Sequence, residues 1–348
     1  MKNIIYFTFI LSTIFLNSCQ KKPNLGSNMK ETFYIRNGEA DIPAFVFGNG
    51  SSKVFMVVLH GGPGGDGLGY RNEYYADVLE KKYAMVYTDQ RHQGNSHGHL
   101  KKTEVSVDLM VEDVRVLIKT LKFRYGNDIK IFLLGHSWGG MLGSSYMIKD
   151  NYQDDITGWI EVDGAHDLPL MTKSTFSMID SIGQIQVSNG KNTNLWEETF
   201  NFISSLNKDD LSFDQTIELN SYAGKLENAM SEVHEKTDYN VSSFKRNFIG
   251  MDKFFAELFN QIQLPSNFWD ELLQRSVTKQ LNRINTPTLI QWGRYDFKVP
   301  PKLAYSAFEQ INTNDKKLII YEHSGHSPHR SEPDLFIEDL VNFIETHR

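Results

Sequence analysis

Residues 129–143 read Ile-Lys-Ile-Phe-Leu-Leu-Gly-His-Ser-Trp-Gly-Gly-Met-Leu-Gly, and this stretch limits the fold of the chain more than any other. An apolar run too short for a helix meets Gly135-His136-Ser137-Trp138-Gly139, and a second apolar segment follows, the pattern of a buried strand that turns sharply into a helix. Such a turn lifts its central hydroxyl clear of the sheet through a strained backbone conformation, and flanking glycines remove the Cβ atoms that would clash. Ser137 is therefore the candidate nucleophile. Gly140 and Gly143 let the following helix pack close to neighbouring strands.

The remaining strand signals put that turn inside a larger sheet. Residues 53–59, Lys-Val-Phe-Met-Val-Val-Leu, are almost continuously apolar, so the strand is buried on both faces and helices must cover both sides of the sheet. The strand runs into His60-Gly61-Gly62-Pro63-Gly64-Gly65, whose glycines expose backbone N–H groups and whose Gly-Pro bond is a candidate for the cis form. Segments 32–35 and 44–47, separated by Asn37-Gly38, read as an antiparallel pair at the sheet edge. Residues 83–87 give another strand, ending at Asp89-Gln90-Arg91-His92-Gln93-Gly94-Asn95-Ser96. A helix is predicted over 107–125, with Leu109, Val114, Leu117, Ile118 and Leu121 as its apolar stripe and Gly126 as its stop. Strands follow at 157–162, closing at Asp163-Gly164, and at 288–292 and 317–321. Repeated strand, loop and helix units predict a mostly parallel α/β sheet. Between 168 and 283 Gly and Pro become sparse, the apolar strand runs vanish, and 195–206, 218–233 and 244–259 are amphipathic, so an all-helical insertion is predicted there.

A chain of 348 residues with 40% hydrophobic content can bury a large core. Its formal charge of 36 − 43 = −7 and pI near 5.9 supply no concentrated basic surface, which argues against nucleic acid as a partner. The one cysteine, Cys19, excludes an internal disulfide and a cysteine-built metal site. Its position is informative. Lys2 precedes an apolar run over 4–16, too short to span a bilayer but the length of a secretory signal core, and Leu16-Asn17-Ser18-Cys19 follows. This resembles a bacterial lipoprotein signal, in which the cysteine becomes the lipidated first residue. The resemblance implies a signal over 1–19, lipid attachment at Cys19, a polar tether over 20–30, and a place in the bacterial cell envelope, lipid-anchored on the periplasmic or outer surface.

A serine hydroxyl needs a base, and the base needs an acid that fixes its tautomer. Trp292-Gly293-Arg294-Tyr295-Asp296 places an acid just past one strand, and Glu322-His323-Ser324-Gly325-His326-Ser327 places histidines just past the next. His323 and His329 compete with His326 as base, and Asp163, also at a strand end, competes with Asp296 as acid; chain order and flanking residues favour Asp296 and His326. Acyl transfer also builds charge on a carbonyl oxygen. The amide of Trp138 is one candidate donor to it, and a backbone N–H of the 60–65 loop, with Gly62 favoured, is the other. His60 and His136 read as structural residues.

Taken together, His60-Gly61-Gly62-Pro63-Gly64-Gly65, Asp89-Gln90-Arg91 with Gly94 and Ser96, Gly135-His136-Ser137-Trp138-Gly139-Gly140, Gly293-Arg294-Tyr295-Asp296 and Gly325-His326-Ser327 resemble the proline iminopeptidase family of the α/β-hydrolases. The resemblance covers the chain from about residue 54 to its end apart from the insertion. It implies an α/β-hydrolase core over 31–167 and 284–348, a helical cap over 168–283, a Ser137–His326–Asp296 triad and no metal or organic cofactor. It also implies that cap acids hold the free amine of the substrate; Glu197, Glu198, Glu218, Glu227 and Glu232 are the candidates. His92 stands where the family has glycine. The expected activity is release of an N-terminal residue, such as proline, from short peptides. The alternatives are a carboxylesterase or other small-molecule hydrolase on the same triad, and a surface binding protein that keeps the fold without catalysis.

Overall fold

The computed structural model describes residues 25–71, 73–98, 105–231 and 264–348. The predicted signal with Cys19, the acid Glu232 and the amphipathic segment 244–259 lie outside the described residues. Among the described residues no helix is long and apolar enough to cross a membrane.

One sheet organises the chain. Its strands are β1 (Met29–Asn37), β2 (Ala40–Gly48), β3 (Val54–Leu59), β4 (Ala84–Thr88), β5 (His97–Gly98), β6 (Lys130–His136), β7 (Gly158–Val162), β8 (Thr288–Gly293) and β9 (Lys316–Tyr321). The spatial order is β1-β2-β4-β3-β6-β7-β8-β9, with β5 paired to β2. The first two strands form an antiparallel hairpin at one edge, and β2 meets β4 antiparallel; from β4 through β9 every pairing is parallel. The predicted architecture, a mostly parallel sheet with an inserted helical cap, is the observed one.

All six residues of β3 are buried, and the two-residue period of a strand divides them between two cores. Phe55, Val57 and Leu59 face the helices α2 (Val107–Tyr125) and α3 (Trp138–Met147), whereas Val54, Met56 and Val58 face α1 (Glu73–Lys82) and the C-terminal helix Pro333–His347. Helix α2 begins where predicted: Ser106 accepts from the Leu109 amide at 3.1 Å, and Gly126 closes the helix at φ 111°. Its buried face is shifted from the predicted stripe, because Met110 and Val111 are inside while Leu109 is half-buried.

The chain leaves the sheet after β7 and enters the cap through α4 (Leu168–Ser188), α5 (Thr193–Ser204) and α6 (Phe213–Ser231), returning through α7 (Ser266–Leu273). Asp167 caps α4 by accepting from the Leu170 amide at 2.9 Å. The cap has a core of its own, in which Phe176, Ile179, Trp196, Ile203, Leu219, Ala223 and Leu226 surround Phe297. Phe297 belongs to the loop after β8, so the loop that carries Asp296 is anchored in the cap.

Candidate active site

The turn from β6 to α3 places Ser137 at φ 57°, ψ −123°, a left-handed conformation that L-residues rarely adopt. The neighbouring chain holds it there: the Ser137 amide donates to Val162 O at 3.0 Å, and its carbonyl accepts from Gly140 N at 2.8 Å and Ala165 N at 3.0 Å. Gly139 allows the close approach, since a Cβ at that position would sit 2.0 Å from the Leu59 carbonyl oxygen.

His326 arrives from the loop after β9 and Asp296 from the loop after β8. His326 Nε2 is 2.9 Å from Ser137 Oγ, and His326 Nδ1 is 2.8 Å from Asp296 Oδ2. Asp296 is fully buried, and its Oδ1 accepts from Lys298 N at 2.9 Å and Val299 N at 2.7 Å. A carboxylate only accepts, so Nδ1 of His326 carries the proton and the unprotonated Nε2 faces the serine hydroxyl. This arrangement can take a proton from Ser137 Oγ and stabilise the imidazolium that results.

The competing residues occupy other positions. His323 is exposed, and its amide donates to Glu332 Oε2 at 2.9 Å. His329 is buried among the rings of Tyr70, Tyr75, His136 and Phe336, where desolvation lowers its pKa to about 3 and keeps it neutral. Asp163 is buried at φ 45°, with Oδ1 accepting from Gly293 N at 2.9 Å, and it makes no hydrogen bond to His326 among the described residues. Burial, reinforced by the Asp296 charge, pushes the Asp163 carboxyl well above the usual carboxylate range.

The loop after β3 lies over Ser137. A Cβ at Gly61 would come within 3.2 Å of Ser137 Cβ, which brings the next residue, Gly62, to the rim of the site beside the Gly62-Pro63 cis bond. Trp138 N is the first amide of α3, a position without an intrahelical acceptor. The segment after β4 holds the loop after β3 in shape. Asp89 Oδ1 accepts from Gly67 N at 2.7 Å, Gln90 donates to His60 O at 2.8 Å and accepts from the Trp138 indole at 2.6 Å, and Gln93 accepts from Gly64 N at 2.6 Å. Arg91 is buried and bidentate to Asp113, at 2.9 and 2.6 Å, which ties the same segment to α2. His92 has φ 59°, the conformation a glycine would adopt more easily.

Sequence reasoning took His60 and His136 as structural. His60 fits that description, fully buried with Nδ1 2.8 Å from Gly61 O and Nε2 accepting from Gln90 N at 3.2 Å. His136 is buried at the elbow, as a packing residue there would be. Its two ring nitrogens are bonded to Tyr70 and to the backbone of His326, so it joins loops rather than only filling space. Nothing in the sequence pointed to Tyr70, since the contact spans 66 residues and belongs to no motif.

Of the four cap acids among the described residues, the structure brings Glu227 to the site. Its Oε1 accepts from Phe297 N at 3.1 Å and Lys298 N at 3.2 Å, its Oε2 lies 3.9 Å from Lys298 Nζ, and its side chain covers Gly325, next to His326. Burial, then the nearby Asp296, pushes its carboxyl up to about 7. Glu197, Glu198 and Glu218 are exposed on cap helices, and Glu198 pairs with Tyr222 at 2.8 Å and Lys225 at 3.9 Å.

A family model described as serine aminopeptidase, S33, matches residues 50–244, more than half of the chain. A proline iminopeptidase of Saccharolobus solfataricus is 27% identical over 300 residues, covering 83% of this chain and 84% of its own length. Among solved structures, the proline iminopeptidase of Mycobacterium smegmatis superposes with a TM-score of 0.63 at 16% identity, over 91% of this chain and 98% of its own. An esterase of Exiguobacterium antarcticum gives 0.57 at 18% identity, over 91% of this chain and all of its own, so both likenesses speak to the fold.

Proposed function

Because the chain belongs to the serine aminopeptidase S33 family of α/β-hydrolases, we propose that it cleaves the N-terminal residue from short peptides through an acyl-enzyme on Ser137. His326 takes the hydroxyl proton as Ser137 attacks the scissile carbonyl, Asp296 holds the imidazolium, and the amides of Gly62 and Trp138 receive the oxyanion. His326 then gives the proton to the departing amine, and water releases the acyl group by the same steps in reverse order. The hydrogen bonds from Asp296 through His326 to Ser137 support these roles.

The observation that carries the aminopeptidase reading over simple ester cleavage is the position of Glu227. An enzyme that trims N-termini must neutralise a substrate ammonium, whereas an esterase needs only an apolar pocket. Glu227 supplies a carboxylate from the cap, next to the residues that would do the chemistry. An ammonium bound there favours the ionised form and draws the raised carboxyl back down, a charge-assisted contact worth about 1.5–3 kcal/mol. Relatives named proline iminopeptidase make prolyl substrates the first to assay.

The test compares kcat/KM for a prolyl p-nitroanilide with a free amine and for its N-acetyl counterpart, in the wild type and in Glu227→Gln. The free amine should be strongly preferred, and the variant should lose about tenfold to a hundredfold on that substrate alone. Equal cleavage of both substrates together with an inert Glu227→Gln exchange would hand the assignment to the esterase reading. We also propose that residues 1–19 are a lipoprotein signal, that Cys19 carries the anchor, and that 168–283 act as the specificity-setting cap of the core; the expected tether over 20–30 must be shorter, because Leu25 packs against the core, Gly26 O accepts from Gly50 N at 2.9 Å and β1 begins at Met29. The charged-then-apolar order before the single cysteine supports the anchor.

A further inference from the structure

Three loops must be in register for the proposed reaction: the one bearing the Gly62 donor, the turn bearing Ser137, and the one bearing His326. A chain of hydrogen bonds runs through all three. Gly61 N donates to Tyr70 Oη at 3.0 Å, Tyr70 Oη lies 2.5 Å from His136 Nδ1, and His136 Nε2 lies 2.8 Å from the carbonyl oxygen of His326.

Chemistry fixes every proton in that chain. The His326 carbonyl can only accept, so His136 Nε2 carries hydrogen; a neutral imidazole then leaves Nδ1 as an acceptor, and Tyr70 must donate its hydroxyl hydrogen to it. The Tyr70 oxygen is thereby free to accept from Gly61. Burial, with His326 and His329 adjacent, holds His136 well below the ordinary histidine range, and burial pushes Tyr70 up to about 12, so both shifts favour the neutral forms. Tyr70 is further fixed by stacking on His329, with ring centroids 5.7 Å apart and planes 25° apart.

We propose that Tyr70 and His136 are positioning residues that couple the oxyanion loop to the base loop. His136 is the last residue of β6 and directly precedes Ser137, so the relay is referenced to the nucleophile itself. Movement of the Gly61-Gly62 backbone pulls on Tyr70, and movement of the His326 backbone pulls on His136; each side chain has one donor and one acceptor role, so neither end can slip without leaving a buried polar group unpaired. The His136 ring packs against that of His326, with centroids 4.9 Å apart, but neither Tyr70 nor His136 hydrogen-bonds to Ser137 Oγ or to the His326 ring nitrogens. Their effect is on kcat, because the oxyanion donors and the base act in the transition state while ground-state contacts to the substrate lie elsewhere.

The inference rests on the serine-hydrolase reading, so labelling of the wild type at Ser137 by a fluorophosphonate is measured first; absence of labelling counts against that reading and not against the relay. In an enzyme that labels, Tyr70→Phe should lower kcat about tenfold to a hundredfold with KM nearly unchanged, and should weaken an aminoacyl boronic acid, which forms a tetrahedral adduct, by a similar factor. His136→Gln keeps an N–H for the His326 carbonyl and should retain more activity than His136→Leu. Tyr70→Phe with His136→Leu should cost little more than His136→Leu alone, since one chain is broken either way. Equal kcat and equal boronate affinity in wild type and Tyr70→Phe, or fully additive losses, overturn the coupling. Nitrogen NMR of the unmutated enzyme tests it without any variant: at neutral pH His136 should be the neutral Nε2–H tautomer, and an Nδ1–H tautomer or a charged ring there refutes the relay.

Discussion

Replacing Asp296 by asparagine should do more harm than the loss of one charge, and the structure says why. Oδ1 of Asp296 accepts from two backbone amides, Lys298 N and Val299 N, and Oδ2 accepts from His326 Nδ1. An asparagine keeps its oxygen toward the two amides, because turning its NH2 there would set donors against donors. The NH2 is then directed at His326 Nδ1, which must give up its hydrogen, so the proton moves to Nε2 and the ring can no longer accept from Ser137. The same exchange in a serine protease triad lowers kcat about 10⁴-fold through the wrong tautomer, which corresponds to about 5.5 kcal/mol in the barrier. Asp163→Asn is the control. Asp163 makes no hydrogen bond to His326 among the described residues, and asparagine preserves the Oδ1 acceptor for Gly293, so the loss should stay below about tenfold, the worth of one neutral hydrogen bond. The assay is kcat/KM on a prolyl p-nitroanilide for both variants, with thermal melts to show that each is folded. A loss at Asp163→Asn larger than that at Asp296→Asn would refute the reasoning and make Asp163 the acid.

Glu227 also gives the preference for a free amine a pH profile. Below about 7 its carboxyl is neutral and attracts no ammonium, above about 7 it is a carboxylate, and a substrate α-amine loses its own charge near 7.7–8.0. The ratio of kcat/KM for free-amine to acetylated substrate should therefore rise through about 7 and fall above about 8, and Glu227→Gln should abolish the rise. A flat ratio in the wild type would contradict the amine contact. His329 makes a statement about stability. Its folded pKa, about 3, lies below its ordinary 6.5, so the unfolded chain binds the extra proton; the stability it contributes is complete above 6.5 and is lost as pH falls toward about 3, at about 1.4 kcal/mol per unit. Urea unfolding from pH 7 to pH 4 should show a shallower decline for His329→Gln than for the wild type, and equal slopes would count against a buried neutral imidazole. Cys19→Ala should block incorporation of labelled fatty acid in cells, an outcome that unchanged labelling would exclude.

Where function demanded a special backbone or an unbroken apolar strand, the sequence was easy to read. The apolar runs of β3 and β6 have no solvated alternative, and a serine flanked by glycines after such a run has few uses other than a sharp turn, so the sheet and the position of Ser137 followed from local pattern. The order of Asp296 and His326 past later strands was legible for the same reason. The choice among cap acids was not. Glu227 and Glu218 look alike as residues on an amphipathic helix, and only the docking of α6 against the Asp296 loop, with Phe297 buried in the cap core, separates them. Tyr70 was invisible because its role depends on a contact to His136, 66 residues away in the chain, and the hydrogen bonds of His136 could not be read because neither is local. The quoted segment from Asp89 to Ser96 carried a signal that could have been used further: its glutamines hold the glycine loop, which two conformationally free segments facing each other would require.

The central claim is that Ser137 carries the acyl group of an N-terminal residue during turnover. Intact-mass and peptide-level mass spectrometry of the enzyme, acid-quenched within its first turnovers on a prolyl ester with a free amine, tests it directly. A mass increase equal to one prolyl acyl group, located on Ser137 and missing in a folded Ser137→Ala variant, is the expected result. Turnover without any adduct in Ser137→Ala at the wild-type rate, or an adduct on another residue, would contradict it.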